Sequence, residues 1–298
     1  MKAIVFPGQG AQYQGMGKDL YDAFPRAKET FDYIDSVLGF KISQVCFEGS
    51  SEVLKKTETQ QLAILATSLV SYELFKEKKI AIDFLSGLSL GEYTCLYPAG
   101  VVDMKALVFI VKERARAMEE ASQLEPSSMY AVLGVTRQDL AKKSQELGFY
   151  IANINSSAQT AISFKKEDAE KIKEVLEALG ARVIPLEVGG GFHSPFMAPA
   201  KKHLKKVLDT VTFKDALIPI VSNVTAGFSR DKDQIKQNLL DQLTSTVLWN
   251  DCVLKLQQSG VDVFFEVGPS KVLRGLIRKI NPGLKVVNVE KKEDLAGI

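Results

Sequence analysis

The chain has little of what metal centres and disulfide scaffolds are made from. Its 298 residues include three cysteines, Cys46, Cys95 and Cys252, too far apart for a disulfide framework or a CxxC zinc or redox site. There are two histidines, His193 and His203, which argues against a multi-histidine metal site and leaves two candidates for imidazole chemistry. Neither charge sign dominates: 38 Lys+Arg against 36 Asp+Glu gives a net charge of +2, no basis for binding a nucleic-acid polyanion. No apolar stretch approaches the ~18–20 residues of a membrane span. The N-terminal apolar run stops at Pro7-Gly8, short of a signal-peptide core. These absences predict a cytoplasmic protein. What is present is ordinary globular composition, 46% hydrophobic and 25% charged, in a length that suits about two domains.

The periodicity predicts strands alternating with helices, hence a mostly parallel sheet flanked by helices. Ala3–Phe6 is a buried strand, followed by helices over Lys18–Leu38 and Thr57–Lys79 and a strand over Ile80–Ser86. Asp103 is an N-cap for a helix through about Ser122. The middle of the chain reads differently. Strands at Met129–Val135, Tyr150–Asn153, Thr160–Phe164 and Arg182–Val188 enclose helices at Arg137–Leu147 and Lys166–Leu179. This βαββαβ order is that of a ferredoxin-like α+β unit. The chain therefore divides into a discontinuous large α/β-hydrolase-like domain, 1–124 and 191–298, and an inserted small subdomain, 125–190. After the insertion, helices are expected at His203–Val211, Asp233–Leu243, Val247–Ser259 and Lys271–Lys279, and strands at Ile218–Ser222, Val263–Val267 and Lys285–Val289.

The segment Gly87-Leu88-Ser89-Leu90-Gly91 is a G-x-S-x-G between a strand and a helix, the context of a nucleophile elbow. A nucleophilic serine needs a base. His203 lies among four lysines on a solvated helix face, whereas His193 follows Gly189-Gly190-Gly191-Phe192 at a predicted strand end, where α/β sheets place their sites. Asp103, Asp139 and Asp168 lie between serine and histidine but in helix-starting or surface contexts, so the pair is oriented by something else, such as a backbone carbonyl. The glycine-rich Phe6–Gly17 is neither G-x-G-x-x-G nor a P-loop, and it either brings backbone N–H groups to an oxyanion or forms a plain turn. Arg114 follows Leu107, Ile110 and Val111 at helical spacing, which turns it inward, toward a carboxylate ligand or a structural ion pair. Arg116, two residues on, faces solvent.

Together FPGQGAQYQGMG at Phe6–Gly17, GLSLGEY at Gly87–Tyr93, RARAMEEA at Arg114–Ala121, ANINSSAQTAIS at Ala152–Ser163, GFHSPFM at Gly191–Met197, SNVTA at Ser222–Ala226 and EVGPSKVL at Glu266–Leu273 resemble the malonyl-CoA:acyl-carrier-protein transacylase family, related to polyketide synthase acyltransferase domains. The resemblance covers essentially the whole chain. It implies ping-pong transfer of malonyl from malonyl-CoA to the phosphopantetheine thiol of an acyl carrier protein, without a cofactor, by a monomer, in fatty-acid or polyketide synthesis. It implies Ser89 as nucleophile, His193 as base, Arg114 as carboxylate binder, and the N–H groups of Gln9 and Leu90 as oxyanion hole. It also implies the carbonyl near Leu248 as orienter of His193, and Phe192 and Asn155 as substrate-pocket positions. Lys201, Lys202, Lys205, Lys206, Arg274, Arg278 and Lys279 are candidates for receiving an acidic carrier. Three positions depart from the family pattern: Leu88 stands where His is common, Thr244–Trp249 lacks the usual Pro and polar residue, and Phe164 replaces a frequent Gly. A serine thioesterase and a non-catalytic carrier-binding module are the competing readings.

Overall fold

The computed structural model describes residues 1–298. Its ten strands are β1 (Lys2–Phe6), β2 (Phe84–Gly87), β3 (Ser127–Leu133), β4 (Tyr150–Ser156), β5 (Gln159–Lys165), β6 (Arg182–Pro185), β7 (Ile220–Val221), β8 (Phe228–Ser229), β9 (Val263–Val267) and β10 (Lys285–Val289). Six form one sheet in the order β10-β9-β1-β2-β7-β8. All its pairings are parallel except that of the short edge strand β8 with β7. Residues 3–6 of β1 are all buried, as a central strand covered on both faces requires. The helix Thr57–Lys76 is buried on almost every side and belongs to the main core, which explains its nearly continuous apolar and small-residue composition.

The expected helix over Lys18–Leu38 is two helices, Lys18–Ala23 and Pro25–Leu38. Phe24 is extended and Pro25 takes the first helical position, where its missing N–H costs nothing. Short helices at Ile42–Glu48 and Ser51–Lys55 and the strand β8 are additional to the expected elements. The strand expected at Ile80–Ser86 shortens to β2. Asp103 caps the helix Met104–Leu124, its side chain accepting from Ala106 N at 2.8 Å. No helix is long and apolar enough to cross a membrane.

Strands β3 to β6 form a second, antiparallel sheet in the order β4-β5-β3-β6. The helices Arg137–Leu147 and Ala169–Ala178 complete the βαββαβ order. This sheet has its own core, in which Phe164 is fully buried and packs on Tyr130 with ring centroids 4.4 Å apart. A glycine there would leave a hole, so the departure at Phe164 is a core-filling one. The segment 244–249, another of the three departures, pairs with β4 at the edge of this sheet. Val247 N donates to Ala152 O at 2.8 Å, Ile154 N to Val247 O at 2.9 Å, and Thr246 Oγ1 to Ile151 O at 2.6 Å.

Candidate active site

The site sits at the C-terminal ends of β1 and β2, in the middle of the parallel sheet, where the chain turns from strand to helix on open α/β folds. Ser89 occupies the turn with φ 53° and ψ −101° and leads into the helix Leu90–Thr94. The flanking glycines are required by contact. A Cβ on Gly87 would lie 2.1 Å from the backbone of Gly91, and one on Gly91 would lie 2.0 Å from Phe6 O. Asn223 braces the turn, its Oδ1 accepting from Ser89 N and its Nδ2 donating to Gly87 O, both at 2.8 Å.

Ser89 Oγ lies 2.8 Å from His193 Nε2, and both residues are buried. His193 Nδ1 is 2.8 Å from the carbonyl of Gln242, so Nδ1 carries the hydrogen and Nε2 is left to accept from the serine. Burial, opposed by that carbonyl and reinforced by Arg114, lowers the imidazole pKa from 6.5 to about 4, which keeps the ring neutral at physiological pH. The loop carrying it is held from the small sheet. Ser163 Oγ on β5 donates to Phe192 O at 2.6 Å, and Gly191 N donates to Ser127 Oγ on β3 at 2.8 Å. His193 itself has φ 56°, a conformation a non-glycine residue keeps only when its surroundings impose it.

The orienting carbonyl is that of Gln242, not Leu248. Leu248 is the N-cap of the helix Trp249–Gln258, and its carbonyl is already taken by Cys252 N at 2.9 Å. Gln242 ends the helix Lys232–Gln242, where the last carbonyls have no partner along the helix and are free to accept.

Arg114 is turned inward and fully buried. Its Nη2 donates to Ser89 Oγ at 3.0 Å and to Gln242 Oε1 at 3.3 Å, its Nη1 donates to Gln61 Oε1, and its guanidinium lies over the Tyr93 ring at 4.6 Å. It forms no salt bridge, and its Nε has no partner. Arg116 is exposed, pairing with Glu113 at 2.7 Å. His203 accompanies that pair, 2.9 Å from Glu113, on the outer face of the helix. It lies outside the site.

The N–H groups of Gln9 and Leu90 donate no hydrogen bond within the chain. Gln9 follows β1 and its side chain is bound to Gln60. A cavity of about 230 Å³ opens onto Ser89 and His193. Gln9, Leu88, Asn155 and Phe192 line it, so Leu88 at the common histidine position presents an apolar wall. Asn155 Oδ1 is buried there without a hydrogen-bond partner. Of the basic residues, Lys201 is paired with Asp241 at 2.6 Å and Lys205 with Asp209 at 2.8 Å, while Lys202, Lys206, Arg278 and Lys279 are exposed. Lys279 reaches Gln159, on the cavity rim, at 3.1 Å.

Four polar residues of the site were not singled out from the sequence: Gln61, Glu92, Asn223 and Gln242, all buried. Glu92 and Asn223 sit inside the GLSLGEY and SNVTA motifs, which was the available signal. Gln61 and Gln242 lie in helices with nothing around them to mark their role.

Residues 3–297 match the family described as the acyl transferase domain. The chain is 42% identical to the malonyl CoA-acyl carrier protein transacylase of Bacillus subtilis strain 168, over 98% of this chain and 94% of that protein. It is 37% identical, over 94% and 97%, to the polyketide biosynthesis malonyl CoA-acyl carrier protein transacylase PksC of the same organism. It superimposes with a TM-score of 0.95, at 34% identity and over 99% and 97% of the two chains, on a solved malonyl-transacylase in complex with a type II polyketide acyl-carrier protein.

Proposed function

The chain belongs to the acyl transferase family, and we propose that it carries the malonyl group from malonyl-CoA to an acyl carrier protein through an ester on Ser89. The observation that supports this most directly is Arg114: a buried guanidinium that no carboxylate contacts directly, bonded to the Ser89 oxygen. A cation so placed calls for an acyl group that brings an anion with it. An acetyl group brings no anion to contact it.

His193 Nε2 takes the Ser89 proton as Oγ attacks the thioester carbonyl. The negative charge on the carbonyl oxygen falls to the free N–H groups of Gln9 and Leu90, donors of a kind worth roughly 10²–10³ in rate each. The C–S bond then breaks, the sulfur takes the proton from His193, and coenzyme A leaves. In the second half the thiol of the carrier's phosphopantetheine gives its proton to His193 and attacks the malonyl ester; the bond from the acyl carbon to Ser89 Oγ breaks, Oγ takes the proton back from His193, and malonyl leaves as the carrier's thioester. Arg114 moves its Nη2 contact from the serine to the malonyl carboxylate, which frees the hydroxyl for attack. Asn155 accepts from the pantetheine arm or the acyl group, and Phe192 packs against the acyl chain. Residues 125–190 act as the subdomain that closes the cavity from above. Exposed Lys202, Lys206, Arg278 and Lys279 favour an acidic carrier. The enzyme acts as a monomer in the cytoplasm.

Incubation with labelled malonyl-CoA tests the reading. The protein is expected to retain label on Ser89 in water and to release it to a phosphopantetheinylated carrier. Rapid loss of label to water would make it a thioesterase, and no labelling would make it a binding module.

A further inference from the structure

One carboxylate under the nucleophile has no part in the transfer steps. Glu92 is buried, on the helix that follows Ser89. Its Oε2 accepts from Gln242 Nε2 at 2.6 Å and from Asn223 N at 3.1 Å. The same Gln242 amide donates to Ser89 O at 3.1 Å, while its Oε1 accepts from Arg114 Nη2. A buried cation and a buried anion are thus joined by a single amide, whose backbone carbonyl also holds His193.

Removing an ion from water is costly unless an opposite charge is near. No carboxylate contacts Arg114 directly, and Glu92 is linked to it through the Gln242 side chain. We propose that Glu92 is the resident counter-charge of Arg114, a positioning residue that acts through Gln242 and competes with the incoming acyl carboxylate for the guanidinium. The proposal rests on Arg114 receiving that carboxylate. When substrate binds, two anions face one cation, and the site gains by Glu92 taking up a proton.

The surroundings suit such a change. Burial raises Glu92 from 4.5 to about 7, with the Gln242, Asn223 and Ser222 hydrogen bonds and Arg114 pulling the other way. The neighbouring titratable groups keep one charge state between pH 6 and 8. Tyr93 is pushed up to about 12, the Cys95 and Cys252 thiols are held well above their usual range by burial, and His193 is held down near 4. Above pH 7 Glu92 is ionised and competes; below it Glu92 is neutral and does not. The KM for malonyl-CoA relative to that for acetyl-CoA therefore rises as pH increases through about 7.

The test compares acyl loading of the full chain from the two thioesters between pH 6 and 8. Glu92→Gln retains an oxygen for Gln242 Nε2 and Asn223 N and removes the charge. It is expected to lower the malonyl-to-acetyl KM ratio at pH 8 by about fivefold or more and to abolish its pH dependence. A wild-type ratio and pH dependence in Glu92→Gln overturn the proposal, and so does a ratio that stays flat with pH in the unmodified protein, a measurement that needs no variant. Arg114→Ala separates the two readings. If it weakens malonyl and acetyl loading equally, the carboxylate role of Arg114 fails. If it discriminates while Glu92→Gln does not, only the role of Glu92 fails.

Discussion

Arg114 Nη2 donates to Ser89 Oγ at 3.0 Å, so the nucleophile is held on one side by the guanidinium and on the other by His193 Nε2 at 2.8 Å. The hydroxyl accepts from one and donates to the other. In the proposed transfer, an arginine in this position restrains the serine until an anion takes its place, which couples recognition of the acyl carboxylate to release of the hydroxyl.

Substituting Ser89→Ala removes the proposed acceptor of the acyl group. After incubation with malonyl-CoA, intact mass is expected to show the unmodified protein only. A malonyl adduct persisting on the variant would move the nucleophile elsewhere.

Arg114→Ala removes a charge-assisted partner of the carboxylate. Malonyl loading is expected to fall about 10²-fold or more in kcat/KM, with acetyl loading falling less. Parallel kinetics with the two thioesters measure the difference.

In the proposed mechanism the neutral imidazole is the base, so activity belongs to the pH range above the His193 pKa. With that value lowered to about 4 by burial, kcat/KM for malonyl loading is expected to persist well below pH 6.5 and to fall as pH drops through about 4. A fall centred near 6.5 would show that the imidazole titrates as a solvated one.

Ser163→Ala deletes the hydrogen bond to Phe192 O and leaves a buried carbonyl unpaired. A loss of about 1–3 kcal/mol in stability is expected, read by thermal unfolding, along with a lower kcat because His193 is held less firmly. Unchanged kcat with lowered Tm would confine Ser163 to the fold.

Gly91→Ala places a methyl 2.0 Å from Phe6 O, a backbone atom that cannot rotate away. The elbow must shift, and a destabilisation of about 3 kcal/mol with loss of loading is expected.

That Ser89, His193 and Arg114 meet in one site was legible because each side chain is set in a telling sequence context. The strand, the glycines 87 and 91 and the helix select the serine; the glycine run selects one histidine over the other; apolar spacing turns the arginine inward. The partner of His193 was legible only as a class. A backbone carbonyl has no residue type, and Gln242 and Leu248 both border helices. What separates them is that one ends a helix with a free acceptor and the other starts one with its acceptor committed. The two sheets followed from their alternation with helices and from the βαββαβ order. The break at Phe24-Pro25 was written in the proline but hidden by apolar spacing that runs through it. Helices as short as Ser51–Lys55 span too few turns to show a period.

The small sheet is tied to the rest of the chain at both rims, through Ser163 to the histidine loop and through Asn153 to Val247. It is therefore not an interchangeable cassette. A chimera that swaps in the corresponding segment of a relative to alter acyl preference would import a new mounting for the base along with a new pocket wall. Such a graft should fail by slow chemistry before it fails by poor binding unless the hydroxyl at position 163 and the seam to Val247 travel with it.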